Sequence, residues 1–190
     1  MLGRICFTLK AMRLKKSKLS AFWHEENNKI KSLSDLPMNF CEKRNIKVLV
    51  LDFDGVLAAH GEHRPIAKMH AWLETLMNQY PELKVCVLSN NPLFSRQQFF
   101  KDHFASLIWI SGVPKKPYPD GLLKIIHEFK VAPKEVCLID DRLLTGILAA
   151  ELAGVQAILV TKPVQAIGKH LFKECFFVFL RAAERWYIKF

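Results

Sequence analysis

The sequence predicts a three-layer α/β fold, Rossmann-like, with a five-stranded, mainly parallel sheet and helices on both faces. Three observations predict it. Val48–Leu51, Leu83–Leu88 and Glu135–Ile139 are largely apolar runs without regular polar alternation, the pattern of strands buried on both faces. Segments with helical spacing separate these runs, as crossover connections require. Polar residues gather just past the carboxyl ends of the strands, where open α/β sheets place their ligands.

The elements follow in order. Residues 1–24 contain six basic residues and no acidic one, interleaved with Leu, Ile, Phe and Trp. This reads as a basic amphipathic helix suited to an anionic membrane surface, with a transit peptide as the alternative. Ser34-Asp35-Leu36-Pro37 marks a turn before the first strand. The loop Ala58–Pro65 carries His60 and His63, but no carboxylate or Cys joins them at metal-ligand spacing. Ile66–Tyr80 places Met69, Trp72, Leu73 and Leu76 on one helical stripe, and Pro81 stops it. Phe94–Phe104 reads as a short helix and Leu107–Ile110 as the third strand. Asp120–Phe129 and Arg142–Ala153 read as helices, the second ended by Gly154, and Val155–Val160 as the fifth strand.

Of the five Cys, Cys86 and Cys137 lie in apolar runs and read as core residues; none forms a CxxC pair, which argues for a reducing compartment and no structural zinc. The net charge is +10. Residues 1–50 carry eleven Lys/Arg against four Asp/Glu, residues 51–161 eleven against twelve, and residues 162–190 six against two. A neutral centre between basic ends points to a polyanionic surface, membrane lipid or nucleic acid, with solubilising charge as the bland alternative. The expected division is a basic extension over 1–40, a catalytic domain over 41–165 and an amphipathic basic helix over 166–190.

The chemistry is carried by the strand ends. Asp52 and Asp54 follow the first strand, Ser89 and Asn90 the second, Lys115 and Lys116 the third, and Asp140 and Asp141 the fourth. A carboxylate nucleophile, a second carboxylate, a hydroxyl, a lysine and a distal acidic pair form a set for phosphoryl transfer. Asp52 can attack phosphorus. Asp54 can protonate the leaving oxygen and later deprotonate a water. Ser89 can hold a phosphoryl oxygen, and a lysine can neutralise charge. A divalent cation, best Mg²⁺, held by the first and last carboxylates removes the repulsion between carboxylate and phosphate.

These residues resemble the motifs of the haloacid dehalogenase (HAD) superfamily of aspartate-nucleophile phosphatases, subclass IIIA. Asp52-Phe53-Asp54-Gly55 is similar to its first motif, Ser89-Asn90-Asn91 to its second, Lys116-Pro117 to its third and Asp140-Asp141 to its fourth. Within the superfamily the chain resembles the YqeG-type branch, which includes mitochondrial phosphatidylglycerophosphatases. The resemblance implies Asp52 as nucleophile, Asp54 as acid/base and Lys116 as the motif lysine. It places Ser89, Asn90 and Gly55 around the phosphate, and Asp52, Asp54, Asp141 and Asp140 around Mg²⁺. Three positions depart from the branch. Asp54-Gly55-Val56 replaces Asp-Asn-Thr, Asp140-Asp141-Arg142 replaces Gly-Asp-Gln, and a later acidic position of the fourth motif falls on Gly146. That leaves Asp140 to supply the lost carboxylate.

The connections between motifs have no room for a cap domain, so an open site is expected, suited to a substrate that brings its own bulk. The expected substrate is a phosphorylated lipid at an anionic membrane, phosphatidylglycerophosphate by resemblance. The alternatives are a nucleic-acid end, a phosphoprotein, a sugar phosphate, or a catalytically weak binding scaffold. The expected location is cytoplasmic or peripheral to a membrane, with the matrix face of mitochondria as the alternative. On a helical wheel of the tail, Lys169, Lys173, Glu174, Arg181, Glu184 and Arg185 share one side. Leu171, Phe172, Cys175, Phe179, Ala182, Ala183, Trp186 and Phe190 share the other. Phe177 and Ile188 fall on the polar side, where exposure is expected. An interfacial helix, a helix packed on the sheet and a dimer contact all suit this pattern.

Overall fold

The computed structural model describes residues 2–166 and 171–189, with the side chains of residues 3–166 and 174–189. Lys169 and Phe190 of the predicted tail helix therefore lie outside the described residues, as do the side chains of Leu171, Phe172 and Lys173.

The sheet has six strands rather than five: β1 Lys29–Ile30, β2 Val48–Leu51, β3 Lys84–Val87, β4 Ile108–Trp109, β5 Val136–Asp140 and β6 Gln156–Val160. Their order is β1-β6-β5-β2-β3-β4 and every pairing is parallel. The additional strand is β1, two residues pairing Lys29 with Leu159 and Ile30 with Val160. Two residues carry no periodicity, so only the docking against β6 makes them a strand.

β2 lies at the centre, in register with β3 (Val50 opposite Cys86) and β5 (Val50 opposite Leu138). Burial on both faces is why it reads as an unbroken apolar run. Alternate residues serve opposite cores. Leu49 and Leu51 join Met69, Trp72, Leu73, Phe99 and Phe100 from α3 (Ala67–Gln79) and α4 (Phe94–His103). Val48 and Val50 join Leu122 and Ile125 from α5 (Asp120–Phe129) and Leu148 and Ala149 from α6 (Leu148–Ala153). A π-helical turn, Leu143–Ile147, leads into α6, where the sequence predicts a helix from Arg142. Cys86 and Cys137 are buried, and Cys137 and Cys86 thiols are pushed up by burial, Cys86 to about 12.

The chain runs outward from β2 to β4, then crosses back to β5. The crevice between β2 and β5 is therefore the switch point where such sheets bind ligands.

The two ends of the chain pack on the same side as α5 and α6. The helix α1 (Leu2–His24) sends Ala11 and Leu19 into that core. Its Lys15 and Lys18 both pair with Glu151 of α6, at 3.3 and 3.0 Å. The last helix, α7 (Leu171–Lys189), buries Ile188, 2 % exposed. This reverses the expectation for that residue, and the same reversal is seen at other described positions of the helix. Glu174, Arg181 and Glu184 are buried, while Phe176, Phe179 and Trp186 are exposed by 57, 68 and 66 %. Among the described residues no helix is long and apolar enough to cross a membrane.

Candidate active site

Asp52 is placed by β2: its backbone N–H continues the ladder to Ile139, at 2.9 Å, and the side chain emerges at the carboxyl edge. Strand alternation then sends Phe53 into the core and returns Asp54 to the cavity. Gly55 turns the chain with φ +86°, and a Cβ there would stand 2.6 Å from Asp141 Oδ2. Both the backbone conformation and the approach of the fourth motif require glycine.

Lys116 binds the first motif to the fourth. Its Nζ lies 2.9 Å from Asp52 Oδ1 and 2.5 Å from Asp140 Oδ2, and all three side chains are almost fully buried. Burial works against the lysine's charge, but Asp140 and Asp52 together outweigh it and raise the pKa, so Lys116 stays cationic. Asn90 sets the lysine's place. Its Oδ1 accepts from the Lys116 N–H at 2.7 Å and its Nδ2 donates to the Lys116 carbonyl at 3.1 Å. Asn90 thus clamps the lysine loop while still lining the cavity. Ser89 Oγ accepts from the Asn91 N–H at 3.0 Å, which holds its oxygen near the site.

Asp52, Asp140 and Asp141 form a buried cluster in which one oxygen of each lies within 4.8 Å of the others. Burial raises the Asp52 pKa well above the ordinary carboxylate value; Lys116 opposes this and the neighbouring carboxylates add to it. Asp141 is pushed up to about 7 by burial and by Asp140, against the Arg181 guanidinium. Asp141 Oδ1 is buried without a hydrogen-bond partner among the described residues. Three hard-oxygen donors, one with an idle oxygen, fit a divalent cation.

The position equivalent to the later acid of the fourth motif has a steric explanation. A Cβ on Gly146 would lie 2.0 Å from Asp140 Cγ. The Asp140 carboxylate fills the room that a side chain from 146 would need, so the two positions cannot both carry one in this arrangement. Each Asp140 oxygen also has a partner, with Oδ2 on Lys116 and Oδ1 accepting from the Arg142 N–H at 2.9 Å, which leaves lone pairs on both.

Asp54 is not part of the carboxylate cluster among the described residues. It pairs with Arg96 of α4 through both oxygens, at 2.9 and 2.8 Å. Arg96 is 0 % exposed, donates further to the Glu62 and Asn91 carbonyls, and lies 4.0 Å over the Phe53 ring. Such a fork fixes the carboxylate plane. Arg96 shares its helical stripe with Phe99 and Phe100, and a cation on an apolar stripe is the signal that marks it in the sequence.

The tail helix closes one side. Arg181 Nη1 donates to Asp141 Oδ2 at 2.7 Å. Glu184 receives Arg142 Nε and Nη2 and the Leu143 N–H. Phe177 stacks on His60 with ring centroids 3.7 Å apart, and Glu174 Oε1 lies 3.7 Å from His60 Nδ1. Burial lowers the His60 pKa, against the pull of Asp54 and Glu174. The loop histidine is thus a packed element beneath α7; His63 bonds Ser95 at 2.7 Å. The resulting cavity holds about 510 Å³ and is walled by the motif residues, by Arg4 of α1 and by Phe177 and Leu180 of α7. Among the described residues no insertion caps it; α1 and α7 flank it instead.

Comparisons with known proteins return a family and structures of similar fold. The sequence profile of a family described as mitochondrial PGP phosphatase matches residues 25–165. A comparison with curated proteins returns no match. Among solved structures, a hypothetical protein from Xanthomonas campestris superimposes with a TM-score of 0.50 at 19 % identity, covering 69 % of this chain and 73 % of that one. A HAD-superfamily hydrolase from Geobacter sulfurreducens gives 0.42 at 18 % identity over 60 and 89 %. The deoxy-D-mannose-octulosonate 8-phosphate phosphatase from Haemophilus influenzae gives 0.45 at 21 % identity over 73 and 90 %. With its four motifs converging on one sheet edge and the profile spanning most of its length, the chain belongs to the PGP phosphatase family of HAD-type phosphatases.

Proposed function

We propose that the chain is a Mg²⁺-dependent phosphomonoesterase acting through an aspartyl-phosphate on a phosphorylated lipid, phosphatidylglycerophosphate being the named substrate. The observation that carries it is Lys116 bridging Asp52 and Asp140 in a buried carboxylate cluster at the floor of the cavity. Asp52 and Asp141, with Asp140 beside them, would hold the cation, whose charge offsets that of the phosphoryl group.

The side chains divide the remaining work. An Asp52 oxygen forms a bond to phosphorus, the bond from phosphorus to the ester oxygen breaks, and the leaving oxygen takes a proton from Asp54. A water then attacks phosphorus and gives a proton to Asp54, releasing inorganic phosphate and the free Asp52 carboxylate. Lys116 holds negative charge on the nucleophile and the phosphoryl oxygens. Arg96 orients Asp54, one oxygen of which turns to the leaving group during transfer. Asn90 acts through the lysine loop as well as at the cavity wall.

The lipid reading has two supports: the family's description, and the outward apolar face of α7 beside the cavity mouth. Phe176, Phe179 and Trp186, with exposed Ile5 and Leu9 of α1, suit insertion into an anionic membrane interface whose lipids meet the basic ends of the chain. The matrix face of mitochondria is the proposed location, following the family's description.

The test is release of phosphate from phosphatidylglycerophosphate in anionic vesicles with Mg²⁺. Turnover is expected to stop with EDTA, and to fall by about a thousandfold or more in Asp52→Asn with the fold intact. Turnover retained by Asp52→Asn removes the nucleophile assignment. A folded protein inert towards this lipid and towards nucleotide, phosphopeptide and sugar monoesters is a binding scaffold.

A further inference from the structure

The cavity contains more positive charge than the phosphoryl site uses. Lys116 serves Asp52 and Asp140 on the floor. Arg4, Lys115 and Arg142 line the same cavity. Arg142 is committed through Nε and Nη2 to Glu184, while Arg4 has no carboxylate partner among the described residues. Burial and the nearby Arg142 both work against the Arg4 charge. A guanidinium without a carboxylate partner at a cavity wall keeps its donors available to an anion.

Arg4 is also held in place. Its helix is pinned where it crosses the lysine loop, because Phe7 stacks on Tyr118 with ring centroids 4.3 Å apart. Lower down, Lys15 and Lys18 pair with Glu151, and Leu19 is buried in the core. The guanidinium therefore belongs to a docked element.

A second cavity of about 400 Å³ between α1 and α7 adjoins the first, sharing Arg142, Thr145 and Leu180 with it. Its wall is mainly apolar, with Met12, Leu144 and Trp186. Arg142 thus stands at the wall of both the cavity that holds the phosphoryl site and the apolar groove beside it.

We propose that Arg4 and Arg142 form a second anion subsite, which binds a phosphodiester of the substrate one short linker away from the phosphomonoester being cleaved. The inference rests on the phosphomonoesterase reading and extends it: the substrate carries two phosphates, with the apolar group beyond the second. Guanidinium suits this task because its fork meets two phosphate oxygens at once. Selectivity over simple monoesters then comes from the chain's own first turns.

Two measurements on the full chain test it. The first compares hydrolysis of short-chain phosphatidylglycerophosphate with that of an analogue in which the diester is replaced by a neutral carboxylic ester. Wild type is expected to favour the diester by about tenfold or more in kcat/KM, and Arg4→Gln to lose most of that preference through KM. Equal rates on both substrates in wild type, or an equal loss on both in Arg4→Gln, overturn the subsite. The second measures binding of short-chain phosphatidylglycerol, which has the diester and no monoester. Wild type is expected to bind it about tenfold more tightly than Arg4→Gln does. Binding that is absent in wild type or independent of Arg4 overturns the subsite. Arg4-dependent binding by a folded but inert protein keeps the subsite and removes the catalytic reading. Diester-independent hydrolysis does the reverse. Among the described residues Arg4 has no side-chain partner to orphan, so Arg4→Gln is expected to melt with wild type.

Discussion

The helices α5 and α7 are both amphipathic and both pack against the same side of the sheet, yet they are built the opposite way round. In α5, Leu122 and Ile125 enter the core and the charged positions face water, as the removal of apolar area from water dictates. In α7, Glu174, Arg181 and Glu184 face inward and Phe176, Phe179 and Trp186 face outward. Burying charge is costly unless it is paired, and in α7 Arg181 pairs with Asp141 and Glu184 with Arg142, while Glu174 Oε1 accepts from the His60 and Ala166 N–H groups. α5 is therefore held by the core, and α7 by the fourth motif as well as by the burial of Ile188. The difference ties the placing of the tail helix to the chemistry and leaves Phe176 and Phe179 largely exposed.

The largest effect that tests this contrast is expected from Arg181→Met. It leaves Asp141 buried without its cation and should lower stability by about 3–5 kcal/mol, read from denaturant unfolding. Adding Mg²⁺ should restore part of that loss, because the cation takes over the neutralisation. If Arg181→Met is as stable as wild type without metal, α7 is not held by the site.

In α5, Leu122→Ala should cost about 2–4 kcal/mol through the cavity it leaves, with no dependence on Mg²⁺. A Mg²⁺-dependent loss there removes the distinction between the two helices.

Next comes the metal itself. Asp52 and Asp141 have pKa values raised above those of the unfolded chain, so the folded state binds more protons than the unfolded one. Stability from these groups is full below the ordinary carboxylate range and is lost as pH rises through about 7. Mg²⁺ competes with those protons. Its stabilisation should therefore grow with pH, reaching about 2–3 kcal/mol at a hundredfold excess over Kd at pH 8 and less at pH 5.5. Thermal melts at the two pH values with and without Mg²⁺ check the sign; a larger effect at pH 5.5 contradicts it.

The smallest effect on stability belongs to the outward face. Replacing Phe176 and Phe179 together by Ser should change stability by about 0.5 kcal/mol per site or less. In the proposed lipid reading, sedimentation with anionic vesicles should nonetheless fall sharply. Binding that survives the double replacement places the membrane contact elsewhere.

The sheet was legible in the sequence because its strands are buried on both faces, and burial on both faces writes itself as an unbroken apolar run. The same logic marked Asp52, Ser89, Lys116 and Asp140-Asp141, since parallel strands bring all their carboxyl ends to one edge. β1 was not legible, being two residues whose pairing exists only in three dimensions. Arg96 is not legible as a site residue, because a cation within an aromatic stripe announces only that something must pair with it, and its partner Asp54 lies 42 residues away in the chain. The sequence predicts Ile188 to be exposed because it shares a helical face with Arg181 and Glu184, and a charged face is normally the wet one.

The sequence by itself determined the layered α/β architecture, the site at the carboxyl edge and the kinds of group that meet there. Those follow from local periodicity and from the parallel topology it imposes. The tertiary structure decided which carboxylate pairs with which cation, that Asp140 takes the room above Gly146, and that α7 turns its charges inward. These depend on contacts between residues distant in the chain, where the cost of burying one charge is settled only by the identity of the other.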